Sequence, residues 1–205
     1  MFVLNRWYVA GWSSELSDRP LARTLLNEPV VLFRTADGRA VALEDRCCHR
    51  NLPLSHGHVE GNCIACGYHG MVYEPSGQCI KVPGQDVIPT GARVRSFPVF
   101  ERDRTVLIWP GDPEKADSAQ VPAYPIHDDP KWAHRADHYV IKCNHELIND
   151  NLIDLSHVGY VHGGPSAALR KPIRSPTSRR SEATMASWYV AGCPTACRPQ
   201  LMCAR

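Results

Sequence analysis

The chain has no run of about 18 apolar residues, so no membrane span is expected. Its start, Met1-Phe2-Val3-Leu4-Asn5-Arg6-Trp7-Tyr8, lacks the apolar stretch of a secretory signal. Aromatic content is only 8%, and the formal net charge is only +2. The small net charge conceals an asymmetry. Residues 163–205 hold seven basic residues and one acid, Glu182, against 16 basic and 20 acidic residues in 1–162. A basic tail on an acidic body is one form of nucleic-acid arm. This tail has no aromatic interleaving beyond Trp188 and Tyr189 and no recognisable binding module, so no nucleic-acid partner is expected.

Cysteine, by contrast, is plentiful: nine in 205 residues. Cys47, Cys48, Cys63 and Cys66 lie close to histidines, a pattern that fits metal binding in a reducing cytoplasm better than disulfides. Cys47-Cys48-His49 is followed, after sixteen residues, by Cys66-Gly67-Tyr68-His69. Each arm brings one thiolate and one imidazole. Four ligands split two and two suit a [2Fe-2S] cluster with unlike ends, Cys47 and Cys66 on one iron, His49 and His69 on the other. Neutral imidazole in place of thiolate makes the cluster less negative and raises its potential, the signature of a Rieske centre. The alternative is zinc: Cys63-Ile64-Ala65-Cys66 is a C-x-x-C pair that Cys47, His49 or His69 would complete. On that reading Cys63 is a ligand; on the first it is a small core residue.

Residues 1–109 read as short antiparallel strands. Val30–Phe33 and Ala40–Leu43 flank Asp37-Gly38; Met71–Tyr73 and Cys79–Val82 flank Pro75-Ser76-Gly77; Val94–Phe100 and Thr105–Trp109 flank Arg102-Asp103. Residues 110–138, rich in Pro, Asp and Ala, read as an irregular linker. Tyr139–Cys143 looks like a strand, and Glu146 to about Val158 like a helix with Asp150, Asp154 and His157 on one face.

A second constellation follows. Asp154, His157 and His162 form D-x-x-H-x-x-x-x-H, and two histidines with a remote carboxylate make the facial triad of non-haem Fe(II) oxygenases. On an ideal helix His162 lies about 140° around from His157. The helix must therefore end or bulge between them, and Gly159 is the expected place.

The chain resembles the oxygenase (alpha) subunit of the Rieske non-haem iron aromatic-ring oxygenases, within them the vanillate O-demethylase-like group. Trp7–Ala10, Pro20–Arg23, Glu28–Arg34, Leu43–Cys47, Cys66–Gly70, Val82–Gln85 and Asn149–His162 carry the resemblance. It implies an α+β chain: an all-β Rieske domain (1–109), a linker (110–138) and the beginning of a helix-grip catalytic domain (139–164). Cys47, His49, Cys66 and His69 would bind the cluster. His157 and His162 would bind a mononuclear Fe(II), whose third ligand the family supplies beyond position 205. Asp154 would bridge to the Rieske histidine of a neighbouring subunit in a homotrimer. An NAD(P)H-dependent reductase would supply electrons, and a methoxybenzoate-like aromatic would be demethylated with O2. The alternative is a Rieske-type electron carrier without oxygenase activity, which leaves Asp154, His157 and His162 unused.

Two departures stand out. Cys48 occupies a position where the family usually has proline, which removes stiffness from the loop and predicts a less robust cluster. After Gly164 the resemblance is read as ending. Residues 165–205 are expected to be disordered or out of frame, and an incomplete triad is expected to bind iron weakly.

Overall fold

The computed structural model describes residues 2–133 and 136–161. It separates into two units, 1–140 and 141–205.

The first unit is built of eleven strands: β1 Tyr8–Trp12, β2 Leu21–Leu25, β3 Glu28–Arg34, β4 Ala40–Glu44, β5 His58–Glu60, β6 Cys63–Ala65, β7 Val72–Tyr73, β8 Cys79–Lys81, β9 Ser96–Phe97, β10 Val99–Arg102 and β11 Thr105–Ile108. They form three antiparallel sheets, in the orders β1-β11-β10, β2-β3-β4-β9 and β5-β6-β7-β8. All three expected hairpins are present. The third differs in detail: its first arm is divided at Pro98, which has no N–H to continue a ladder, into β9 and β10.

Burial explains the register. Val30, Val31, Leu32 and Phe33 are all fully buried, so β3 is covered on both faces and reads as a continuous apolar run. It pairs Val31 with Leu43 and Phe33 with Val41. The main core joins these residues to Leu54, Ile64, Met71, Tyr73, Cys79 and Val94, and it includes Cys47 and Cys66. Fold and site therefore share one core.

The segment after β11 is irregular but tied down. Trp7 Nε1–H donates to Asp117 O (2.8 Å), an Arg102 guanidinium N–H to Val121 O (3.0 Å), and the Arg104 guanidinium pairs with Asp128 (2.9 Å). Val121 is buried. These contacts make residues 110–130 a strap on the β body.

In the second unit the expected strand at Tyr139–Cys143 does not form. Tyr139, Val140 and Ile141 are at least half exposed. Among the described residues no strand lies beside this apolar segment to pair its backbone, and propensity alone does not make a strand. The helix does form, as α1 His145–Ile153, capped by the Asn144 side chain, which accepts from Glu146 N–H (3.0 Å). It ends earlier than its periodicity predicts. Asp154 leaves helical geometry (φ −86°, ψ 91°) although its N–H still reaches Asp150 O. Its carboxylate takes the Ser156 N–H (2.9 Å), the local side-chain bond with which Asp competes against the helix. The break thus falls at Asp154, not Gly159, and Asp154 and His157 do not share one continuous helix face. Among the described residues no helix is long and apolar enough to cross a membrane.

Candidate redox site in the first unit

Two loops enter the core from opposite hairpins, and their backbones follow one pattern. Cys47 N–H donates to Leu52 O (2.9 Å), five residues on, and Asn51 N–H returns to Cys47 O (2.9 Å). Cys66 N–H donates to Met71 O (2.8 Å), again five residues on, and Gly70 N–H returns to Cys66 O (3.0 Å). Both turns close through a left-handed fourth residue, Asn51 at φ 59° and Gly70 at φ 71°. Asparagine and glycine are the residue types that tolerate that region. Each cysteine therefore sits at the inward corner of the same turn.

The loops are also pinned to each other and to the core. A Cβ on Gly67 would lie 2.6 Å from His56 O, so only glycine allows the second loop to approach the first. Asp45, 7% exposed, accepts from both Ser55 N–H and Ser55 Oγ–H at 2.7 Å and ties the far end of the first loop to its start. Leu54, fully buried, plugs the space beneath it.

The four predicted ligands divide by polarity. Cys47 and Cys66 are 3% and 2% exposed, whereas His49 and His69 are exposed. The two imidazoles lie together, ring centroids 4.6 Å apart. Tyr68, 60% exposed, lies against His69 with centroids 3.9 Å apart. Two thiols thus point inward and two imidazoles outward. Among the described residues no three His, Cys, Asp or Glu side chains are grouped for a single ion. The pairing is two plus two.

The electrostatics of the thiols fit a group that carries positive charge. Burial pushes the Cys66 thiol above its ordinary value, and the neighbouring Cys47 thiol pushes it further. Backbone N–H groups of Tyr68 and His69, donated to the Cys66 sulfur, act the other way. Two adjacent buried thiolates repel each other without a cation between them, while amide donors aimed at a sulfur favour its anion. Iron meets both conditions, since a coordinating thiol is deprotonated outright.

Three residues with no role in the motif also reach this site. The Tyr73 hydroxyl lies 3.1 Å from Cys47 Sγ and 3.2 Å from Cys48 Sγ. Burial, reinforced by the cysteine contacts, holds that hydroxyl well above its ordinary pKa, so it stays protonated. Cys79 is buried, and its thiol is raised chiefly by burial. Asp45 is the third. The sole sequence signal for Tyr73 is its apolar, odd-numbered position on a short strand after His69. Its contact with Cys47 depends on tertiary approach.

In the second unit the His157 ring donates from Nδ1 to Asp154 O (2.5 Å). The exposed Asp154 carboxyl is held below the usual carboxylate value by hydrogen bonds from Ser156 and stays ionised. His162 and residues 165–205 lie outside the described residues.

Known proteins decide between cluster and zinc. The profile of the Rieske [2Fe-2S] domain matches residues 6–98, and that of the vanillate O-demethylase oxygenase C-terminal domain matches residues 141–195. A Rieske [2Fe-2S] domain thus occupies residues 6–98, followed by a match to part of an oxygenase C-terminal domain. The second match runs on past Gly164, where the resemblance was read as ending. The toluene-4-sulfonate monooxygenase system iron-sulfur subunit of Comamonas testosteroni is 45% identical over 196 residues, 93% of this chain and 56% of that protein. A vanillate O-demethylase oxygenase subunit from a Pseudomonas strain is 40% identical over 182 residues, 89% of this chain and 51% of that one. The crystal structure of dicamba monooxygenase bound to dicamba superposes with a TM-score of 0.75 at 44% identity, covering 78% of this chain and 48% of that one. Dicamba monooxygenase has also been solved with non-haem iron. The chain thus spans about half the length of the curated relatives it matches.

Proposed function

We propose that this chain is the oxygenase component of a Rieske-type monooxygenase that acts on a methyl group of an aromatic substrate, methoxybenzoate-like in the first instance. The observation that carries it is the polarity split of the first site: a buried thiol pair beneath an exposed imidazole pair, on two matched loops. Cys47 and Cys66 would hold one iron of the [2Fe-2S] cluster, His49 and His69 the other. When bound, the cluster supplies single electrons, and a mononuclear iron supplies a place where O2 is activated.

The chain's own residues do the rest. The buried cysteines keep the sulfur end of the cluster dry, and exposed His49 and His69 place its other end where an electron partner can approach. His157 and His162 would supply the two imidazoles that hold the mononuclear iron. Asp154, ionised and exposed, would accept a hydrogen bond from a ligand imidazole of a neighbouring subunit, orient that ring and shorten the electron path. Such a bridge requires a closed ring of identical subunits, and a homotrimer satisfies it. An NAD(P)H-dependent reductase provides two electrons per turnover. With two protons and one O2, one oxygen atom enters a methyl C–H bond and the other leaves as water. The hydroxymethyl ether then collapses to formaldehyde and the phenol. The names of the relatives widen the substrate class to an aromatic that carries a sulfonate.

The test is analysis of iron and acid-labile sulfide with low-temperature EPR on the full chain, followed by turnover with added reductase. Two iron and two sulfide per chain with a reduced Rieske signal, a weakly held mononuclear iron, and NADH-dependent formaldehyde release from a methoxybenzoate are expected. A Rieske signal with no mononuclear iron and no formaldehyde would instead mark an electron-transfer protein. Zinc without sulfide would refute the cluster assignment.

A further inference from the structure

The cluster uses Cys66 of the C-x-x-C pair and leaves its first member, Cys63, without a role. We propose that Glu60 and Glu74 form an anionic clamp that keeps Cys63 an inert thiol on the sheet face opposite the ligand sulfurs. Cys63 is half-buried and lies outside the main core, so it is not the small core residue expected from the sequence. Successive side chains on a strand point to opposite faces. Ile64 of β6 and Cys66 just beyond it belong to the core that also holds Cys47, Leu54 and Tyr73. Cys63 therefore points away from that core, and the pair does not close on one ion. Its own face carries a row of three side chains. A two-residue turn, Gly61-Asn62, sets Glu60 of β5 directly opposite Cys63, and Ala36 N–H pins that turn at Gly61 O (2.9 Å). On the other flank β7 pairs Tyr73 with Ile64, which brings the next residue, Glu74, level with Cys63. Directly opposed side chains on one sheet face have Cβ atoms about 4.5–5.5 Å apart. The thiol thus lies between two carboxylates.

A thiolate at this place would meet two like charges, which disfavour it. Burial raises the Cys63 thiol above its ordinary value, and Glu74 and then Glu60 raise it further. Glu60 pairs with His58 (2.7 Å), and Glu74 accepts from the Ser76 hydroxyl (2.6 Å). Among the described residues no lysine or arginine pairs with either carboxylate. The two sulfurs of the pair are thus prepared in opposite senses. Backbone N–H groups favour the anion of Cys66, and carboxylates oppose that of Cys63. The distinction has a chemical consequence, because the thiolate and not the thiol is the nucleophile. With hydrogen peroxide the thiolate sulfur attacks one oxygen: an S–O bond forms, the O–O bond breaks and hydroxide leaves. The sulfur loses the two electrons that the peroxide gains. A protein that passes two electrons and two protons to O2 releases hydrogen peroxide whenever no substrate takes the oxygen. Protection of Cys63 from that peroxide rests on the proposed oxygenase function; the suppression of its reactivity does not.

The experiment is alkylation of Cys63 by iodoacetamide in the full chain, read by mass spectrometry of the peptide that carries it, with iron and sulfide measured in parallel. The thiolate forms an S–C bond and iodide leaves. The reagent is uncharged, so added salt acts on the thiol and not on the approach of the reagent. Glu60→Gln and Glu74→Gln keep the side-chain shape and remove the charge. Each is expected to raise the rate about threefold, and the two together about tenfold. Added salt should raise the rate of the parent and leave that of the double variant nearly unchanged, because only the parent has a charge effect to screen. Hydrogen peroxide should oxidise Cys63 faster in the double variant by a similar factor. An unchanged alkylation rate in the double variant would overturn the clamp. So would a faster rate in the double variant with no salt response in the parent, which would mark looser packing in place of lost charge. Zinc without sulfide in the parent would refute the cluster assignment whichever way the rates fall, and equal rates in parent and double variant would refute the clamp whichever metal is bound.

Discussion

Asp45 offers the sharpest test of how the first ligand loop is held. Its side chain is nearly buried and accepts two hydrogen bonds of 2.7 Å, from Ser55 N–H and Ser55 Oγ–H. Its own N–H is taken by Pro29 O (2.9 Å), so the backbone at 45 is fixed to β3 independently of the side chain. Asp45→Ala removes both acceptors and leaves the Ser55 N–H without a protein partner. Hydrogen bonds to charged groups contribute about 1.5–3 kcal/mol each, and the two share one donor residue, so a loss of about 2–4 kcal/mol is expected. With a urea slope of about 2 kcal/mol/M for a body of this size, the unfolding midpoint should fall by about 1–2 M. Asp45→Asn keeps the shape and one acceptor oxygen, and should cost about 1 kcal/mol. The assay is urea unfolding of the full chain followed by far-UV circular dichroism, with iron content measured in parallel. Iron should fall in Asp45→Ala because residues 45 and 55 bracket the segment that carries Cys47 and His49. An Asp45→Ala midpoint within about 0.3 M of the parent would refute the reasoning: the loop would then be held by Leu54 burial and not by the carboxylate.

Two further outcomes follow from the same geometry. Asn51 closes its turn at φ 59°, so Asn51→Gly should retain cluster and stability, while Asn51→Val, forced into the left-handed region, should lose about 1–2 kcal/mol in urea unfolding and shed iron faster in air. Glu101, paired with Arg34 at 2.9 Å, has a carboxyl held below its ordinary value chiefly by that hydrogen bond. A depressed folded-state value contributes stability that is present above about pH 4.5, the unfolded value, and is lost as pH falls through the folded one. Glu101→Gln should therefore flatten the stability profile below about pH 4.5 in acid titrations of the urea midpoint.

Much of this molecule is legible in its sequence because its strands announce themselves locally. Asp37-Gly38, Pro75-Ser76-Gly77 and Arg102-Asp103 each fix a turn between apolar runs, and all three hairpins appear at those places. The ligand spacing is legible for the same reason: cysteine and histidine at short intervals have few other uses together. What is not legible depends on distant approach or on a local contest. Tyr139–Cys143 has strand composition but, among the described residues, no strand beside it. The α1 periodicity continues past Ile153, yet the Asp154 carboxylate prefers the Ser156 N–H to another helical turn. Asp45 follows β4 while Tyr73 and Cys79 lie in β7 and β8, and nothing in the local pattern around them marks the meeting with the ligand loops.

The two ligand loops are near copies in backbone and unlike in what they aim at sulfur. Both use a bond to the fifth residue, a return bond from the fourth and a left-handed fourth residue. The histidine, however, falls at the second position after Cys47 and the third after Cys66. The longer second arm brings the N–H groups of Tyr68 and His69 onto the Cys66 sulfur. The shorter first arm leaves Cys47 with a side-chain donor, Tyr73. Backbone donors persist through most substitutions, so the environment of Cys66 is largely fixed by the turn itself. The donor to Cys47 is a single hydroxyl, present or absent with the residue at position 73. If both sulfurs bind the same iron, one side of that iron is set by the fold and the other is open to adjustment by sequence. A substitution at 73 should therefore alter the side-chain environment of Cys47, whereas substitutions at 67 and 70 should act on loop closure and cluster retention.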